Sequence, residues 1–254
     1  GLVSAGSLVS GSITGGTTNV TAAADVGAVT GGMLAVGGGA TINSLSSGTV
    51  TLAGAGSSLT AVTGGRLTVS GQHDVAIGSL AIGGGGLVDV GLGSVTVLGG
   101  LTDSDVRALL TAGMNGGTWN GSSGVTSTDV AAAVAAGSSR AVGWLEGGAG
   151  AITMAYAAPG DTNIDGVVDL LDVGNLTAGG AYGLPVTASW LEGDFNYDGV
   201  FDVLDASAFV AAELYNAGPY VPPSMSVAPV PEPAALAAVG MLAGWAWAAQ
   251  RRWR

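Results

Sequence analysis

Over the first hundred residues, apolar and polar positions alternate in short runs. These are Leu34-Ala-Val36, Val50-Thr-Leu52, Leu67-Thr-Val69, Val75-Ala-Ile77, Leu80-Ala-Ile82, Leu87-Val-Asp-Val90 and Val95-Thr-Val97. Glycine clusters separate the runs, and several neighbours start seven to nine residues apart. A period of two gives each run one face to bury, so each reads as a short strand ended by a tight turn. Strands this numerous, short and nearly uncharged predict a mainly β fold of stacked coils, a glycine-rich parallel β-solenoid. An irregular β-sandwich or a loosely ordered low-complexity segment fits the same pattern.

The period lengthens at Leu101. Acids open the run Leu101-Thr-Asp-Ser-Asp-Val-Arg-Ala-Leu-Leu, as the helix dipole favours, and Val106, Leu109 and Leu110 form an apolar stripe. Gly113 stands where a C-terminal stop belongs. Residues 1–115 therefore read as a solenoid with a capping helix, because the last coil needs a cover. Residues 116–158 read as a connecting α/β region, with a helix over Asp129–Ala136 and a strand over Ala151–Ala157. The chain begins at Gly1 with neither a methionine nor a charged leader, which is expected of a fragment or processed product.

Composition narrows the chemistry. The 254 residues include 47 glycines, 18 acids, six arginines, one histidine, no lysine and no cysteine, for a net charge of −12. Without lysine there is no Walker-type phosphate loop or Schiff base, and without cysteine no disulfide, thiolate zinc site or thiol nucleophile. Six scattered arginines on an acidic chain argue against nucleic acid as a partner.

The acids concentrate in 161–205, which holds eight aspartates, Glu192 and no basic residue. The first loop is Asp161-Thr-Asn163-Ile-Asp165-Gly166-Val167-Val168-Asp169-Leu-Leu-Asp172. Asp194-Phe-Asn196-Tyr-Asp198-Gly199-Val200-Phe201-Asp202-Val-Leu-Asp205 repeats it 33 residues later. Oxygen-bearing side chains fall at loop positions 1, 3, 5, 9 and 12, glycine permits the reversal at position 6, and position 7 offers its carbonyl. This is the oxygen cage of an EF-hand calcium loop, with position 12 on the first turn of a following helix. The candidate metal ligands are Asp161, Asn163, Asp165, Val167, Asp169 and Asp172 for one calcium ion. Asp194, Asn196, Asp198, Val200, Asp202 and Asp205 serve the second. Four carboxylates within twelve residues repel one another unless a cation joins them.

In these loops the chain resembles a dockerin domain, over roughly 159–217. Dockerins carry two such loop–helix units without an entering helix, and the aspartate at position 12 and apolar position 8 (Val168, Phe201) match. The resemblance implies folding on calcium and a cohesin-like or other surface protein as partner. Well-known dockerins place small polar residues at loop positions 10 and 11, where this chain has Leu170-Leu171 and Val203-Leu204. Apolar residues after each loop, such as Leu170, Leu176, Leu204 and Phe209, are expected to pack the two units together. Gly117-Thr-Trp119-Asn-Gly-Ser, Arg140-Ala-Val-Gly-Trp144 and the loops together resemble planctomycete surface proteins.

Residues 218–233 read as a proline-stiffened linker, and 234–254 as an apolar transmembrane or sorting helix ending in Arg251, Arg252 and Arg254. Sixteen uncharged residues span roughly 24 Å as a helix, short of the usual bilayer core, and snorkelling arginines cover the deficit. A buried core helix is the other reading of this run. Pro231, Glu232 and Pro233, the apolar run and the arginines resemble a PEP-CTERM sorting signal. That implies export, processing by an exosortase-type enzyme and placement at the cell surface, anchored through the membrane by the C-terminus. His73-Asp74 is the one histidine beside an acid, but no Gly-x-Ser-x-Gly elbow accompanies it. The sequence thus points to a non-enzymatic structural or adhesive surface protein. The alternative is a β-solenoid polysaccharide-acting enzyme, a lyase or glycoside hydrolase, carrying a dockerin.

Overall fold

The computed structural model describes residues 1–83 and 85–221. Most of the linker, Pro231–Pro233 and the run 234–254 lie outside the described residues. The chain is mainly β, a β-solenoid of about six turns with four helices among the described residues.

Strands β1 (Leu2–Ala5), β2 (Leu8–Val20), β3 (Ala24–Val36) and β4 (Ala40–Leu52) stack in parallel, followed by β5 (Ser57–Val62), β6 (Arg66–Val69), β7 (Asp74–Leu80), β8 (Leu87–Asp89) and β9 (Ser94–Val97). Register carries like side chains onto like. One inward ladder runs Val26, Ile42, Leu59, Ile77, Val97, and a second runs Ile13, Val29, Leu45, Val62, Leu80. A third, Leu34, Val50, Leu67, Val88, Val125, climbs the other face. Burying such ladders drives the stacking, because each coil removes apolar surface of its neighbour from water.

Strands β2–β4 are longer than the short runs read from sequence: Leu34–Val36 and Val50–Leu52 are the last residues of 13-residue strands that bend in the middle. A column of glycines sits at the bends: Gly16, Gly32, Gly48 and Gly65 have φ between +71° and +81°. A Cβ on Gly32 would stand 2.6 Å from the Gly16 carbonyl oxygen, so the bend requires glycine for both its dihedral and its close approach.

The C-terminal end of the solenoid is covered. Helix α1 (Asp103–Met114) starts at a capping box made by Thr102 and Asp105, and it buries Val106 and Leu110. Its stop is Asn115, left-handed at φ 44°, not Gly113. Gly113 lies inside the helix against the Val125 carbonyl, and its lack of a Cβ permits that approach. Strand β10 (Gly124–Thr126) adds to β8, and Ser127 caps α2 (Thr128–Ala135). An antiparallel hairpin, β11 (Ala141–Glu146) and β12 (Ile152–Ala157), closes the sheet by pairing β12 with β9. The core continues without a break from the solenoid through Trp119, Val142 and Trp144 to Ile164, Trp190, Phe195 and Tyr197. Beyond the hairpin stand α3 (Leu170–Gly179) and α4 (Val203–Ala212). Among the described residues no helix is long and apolar enough to cross a membrane.

Candidate metal centre

The two aspartate loops adopt one backbone. Position 4 is left-handed in both, Ile164 at φ 56° and Tyr197 at φ 66°, and so is position 6, Gly166 at 86° and Gly199 at 87°. Bulky residues at positive φ carry strain that surrounding structure must hold. Here the core holds it. Ile164 and Tyr197 are each 4% exposed, Ile164 lies near Gly143 on β11, and the Tyr197 hydroxyl donates to the Val142 carbonyl at 2.8 Å. Trp190, between the loops, stacks on Tyr197 and donates through Nε1 to the Asp161 carbonyl at 2.7 Å.

The hydrogen bonds repeat as well. The position 6 N–H donates to the first carboxylate: Gly166 to Asp161 Oδ2 at 2.9 Å, Gly199 to Asp194 Oδ2 at 3.0 Å. Asn163 and Asn196 accept from the N–H of Asp165 and Asp198, and those aspartates accept from Val167 and Val200. Asp172 Oδ1 accepts from the N–H of Thr162 and Asp205 Oδ1 from that of Phe195, while their Oδ2 atoms accept from Asp169 and Asp202. Asp169 and Asp202 are the N-caps of α3 and α4, so position 9 ends each loop by starting its helix. The sequence pattern therefore brings all twelve candidate residues into two equivalent turns. Among the described residues no group of three or more His, Cys, Asp or Glu side chains is gathered closely enough to hold a metal ion; the carboxylates are turned to backbone N–H groups.

The electrostatics are unusual. Asp161, Asp172, Asp194 and Asp205 are buried. Burial pushes the Asp161 carboxyl up to about 7, against the Tyr220 hydroxyl and the Gly166 N–H that favour its charged form. Burial likewise pushes Asp194 up to about 6, outweighing its ion pair with Arg107. Asp172 and Asp205 are raised for the same first reason. Asp194 Oδ1 is buried with no hydrogen-bond partner. Its counterpart in the first loop, Asp161 Oδ1, faces the Asp165 N–H at 3.2 Å. An all-oxygen set with a buried, unpartnered carboxylate oxygen suits a hard cation such as calcium.

No family model matches the chain, and no curated protein or solved structure matches it either. The loops must be read on their own geometry.

Two residues that touch the loops were not legible as part of them. Arg107 of α1 donates from Nε to Asp194 Oδ2 at 3.1 Å, and Tyr220 donates its hydroxyl to Asp161 Oδ2 at 2.6 Å. One other expectation is corrected. Leu170 and Leu204 do not pack the units together but stand 70% and 61% exposed, because the first turn of each helix turns Asp172 and Asp205 inward instead; of the four, only Leu176 and Phe209 pack against the core. Beside His73, Asp74 accepts from the Ser94 hydroxyl at 2.6 Å.

Proposed function

We propose that the chain is an exported cell-surface structural or adhesive protein whose two aspartate loops each bind one calcium ion. Asp161, Asn163, Asp165, Asp169 and Asp172, with the Val167 carbonyl, hold the first. Asp194, Asn196, Asp198, Asp202 and Asp205, with the Val200 carbonyl, hold the second. Calcium supplies positive charge to eight carboxylates, four of them buried, that among the described residues have only the Arg107 guanidinium as an ion-paired partner. The observation that carries this reading is the Asp194 Oδ1 atom, buried and unpartnered inside a turn built twice. The dockerin-like pairing of loops extends it to docking of a protein partner. Support comes from exposed Leu170, Leu171, Val203 and Leu204 at equivalent places on the two loop helices. Isothermal calorimetry on the full chain tests the core of it. Two calcium ions should bind with dissociation constants at or below about 10⁻³ M and magnesium more weakly. Asp161→Ala and Asp194→Ala should each remove one ion. A wild-type chain giving no calcium heat overturns the function proposed.

A further inference from the structure

The two loops share the hydrogen bonds from backbone N–H groups to the side chains at positions 3, 5, 9 and 12. Thr162 adds a hydroxyl donor to Asp172 that Phe195 cannot give Asp205, and around the first carboxylate the chief difference is one of charge. Asp161 Oδ2 takes a neutral tyrosine hydroxyl, whereas Asp194 Oδ2 takes a guanidinium. The Arg107 side chain is only 13% exposed and also donates to the Ala188 carbonyl, so its charge is held in place. Arg140, the other arginine nearby, stacks on the Tyr220 ring at 4.8 Å and donates to the Ser139 carbonyl. Among the described residues it pairs with no carboxylate of either loop. Four aspartates in the first loop thus have no ion-paired cation, and four in the second share one.

We propose that Arg107 makes the second loop the weaker of the two calcium sites, so that calcium fills the first loop before the second. This rests on the calcium reading of both loops. Arg107 engages Oδ2 and leaves Oδ1 free, so it does not take the place of a ligand. It stands beside the divalent ion as a like charge. One unit of charge a few ångströms away, partly screened, is worth roughly tenfold or more in affinity. In the metal-free chain the same guanidinium relieves part of the repulsion among the four carboxylates, which leaves calcium less to relieve. Both effects act in one direction.

The amide signals of Gly166 and Gly199, whose N–H groups touch the two first carboxylates, report the loops separately in a calcium titration of the ¹⁵N-labelled full chain. The Gly166 signal should reach its midpoint at roughly tenfold lower calcium than Gly199. Arg107→Gln should bring the Gly199 midpoint down by about that factor without moving Gly166, and Arg107→Lys should keep it near wild type. Equal midpoints, Gly199 responding first, or an unmoved or raised Gly199 midpoint in Arg107→Gln overturns the ordering while leaving two calcium sites. Should Arg107→Gln fail to fold, the wild-type order decides. If neither glycine responds, calcium binding itself fails and the ordering with it.

Discussion

A carboxyl group enclosed by protein has three ways to lower its energy: a counter-charge, hydrogen-bond donors, or a proton. Asp161 and Asp194 have donors, Asp194 has Arg107 as well, and both still sit at raised pKa values, about 7 and about 6, because burial dominates. The sign of the consequence is fixed. Unfolded, both groups titrate near 3.8, so between about pH 4 and pH 7 the folded metal-free chain binds more protons than the unfolded one. Stability without metal is therefore greatest at the acidic end of that window and declines as pH rises through it. On the proposed calcium reading, the ion takes only deprotonated ligands, so its stabilising effect should grow over the same range. Scanning calorimetry with a chelator should show the melting temperature falling across this window, and added calcium should restore more of it at pH 7 than at pH 5. A chelated chain whose melting temperature climbs instead would contradict the burial of these uncompensated carboxylates.

At the scale of the element, the coils depend on two residue types doing different things. The ladders supply burial, so Ile42→Ala should cost about 2–5 kcal/mol in chemical denaturation, because neighbours above and below prevent the gap from collapsing. The bends depend on glycine, so Gly32→Ala should also destabilise, through positive φ and the close Gly16 carbonyl, by more than the roughly 1 kcal/mol typical of point changes. A Gly32→Ala chain as stable as wild type would show that the coils can shift apart. The strands were legible because a period of two survives any stacking order, and the loops because twelve local positions carry their whole pattern. Elsewhere the signal was not local. The extension of Leu34–Val36 and Val50–Leu52 into 13-residue bent strands follows from pairing with the coil beneath. Gly113 resembles a helix stop in sequence and is a contact point with β10 in the fold. Arg107 lies 87 residues from Asp194, and Tyr220 59 from Asp161, separations at which no motif spacing speaks.

Over the whole molecule, the loops are wired to the solenoid end and not merely tethered to it. Trp190 packs in the same core as the ladders, Tyr197 reaches the backbone of β11, and Arg107 carries α1 to Asp194. Sequence alone suggests that replacing Asp161 and Asp194 with alanine disorders 159–217 and leaves 1–150 folded. The shared core implies that the boundary is not so sharp. A metal-free second loop should loosen Tyr197, and with it the Val142 carbonyl that accepts its hydroxyl, so opening should spread into β11, β12 and α1. The far coils, β2 to β4, pack chiefly on one another and should not respond. Hydrogen exchange on the full chain, with calcium and with chelator, reads this directly. Amides of Ala141–Glu146 and Ile152–Ala157 should lose protection together with those of α3 and α4, while Ala24–Leu52 keeps its rates. Asp194→Ala in calcium should reproduce the hairpin's share of the loss, since it removes both a ligand and the partner of Arg107. Protection changes confined to the loops and their helices would mean that the continuous core does not transmit the event, and that the solenoid and the aspartate turns are stable independently.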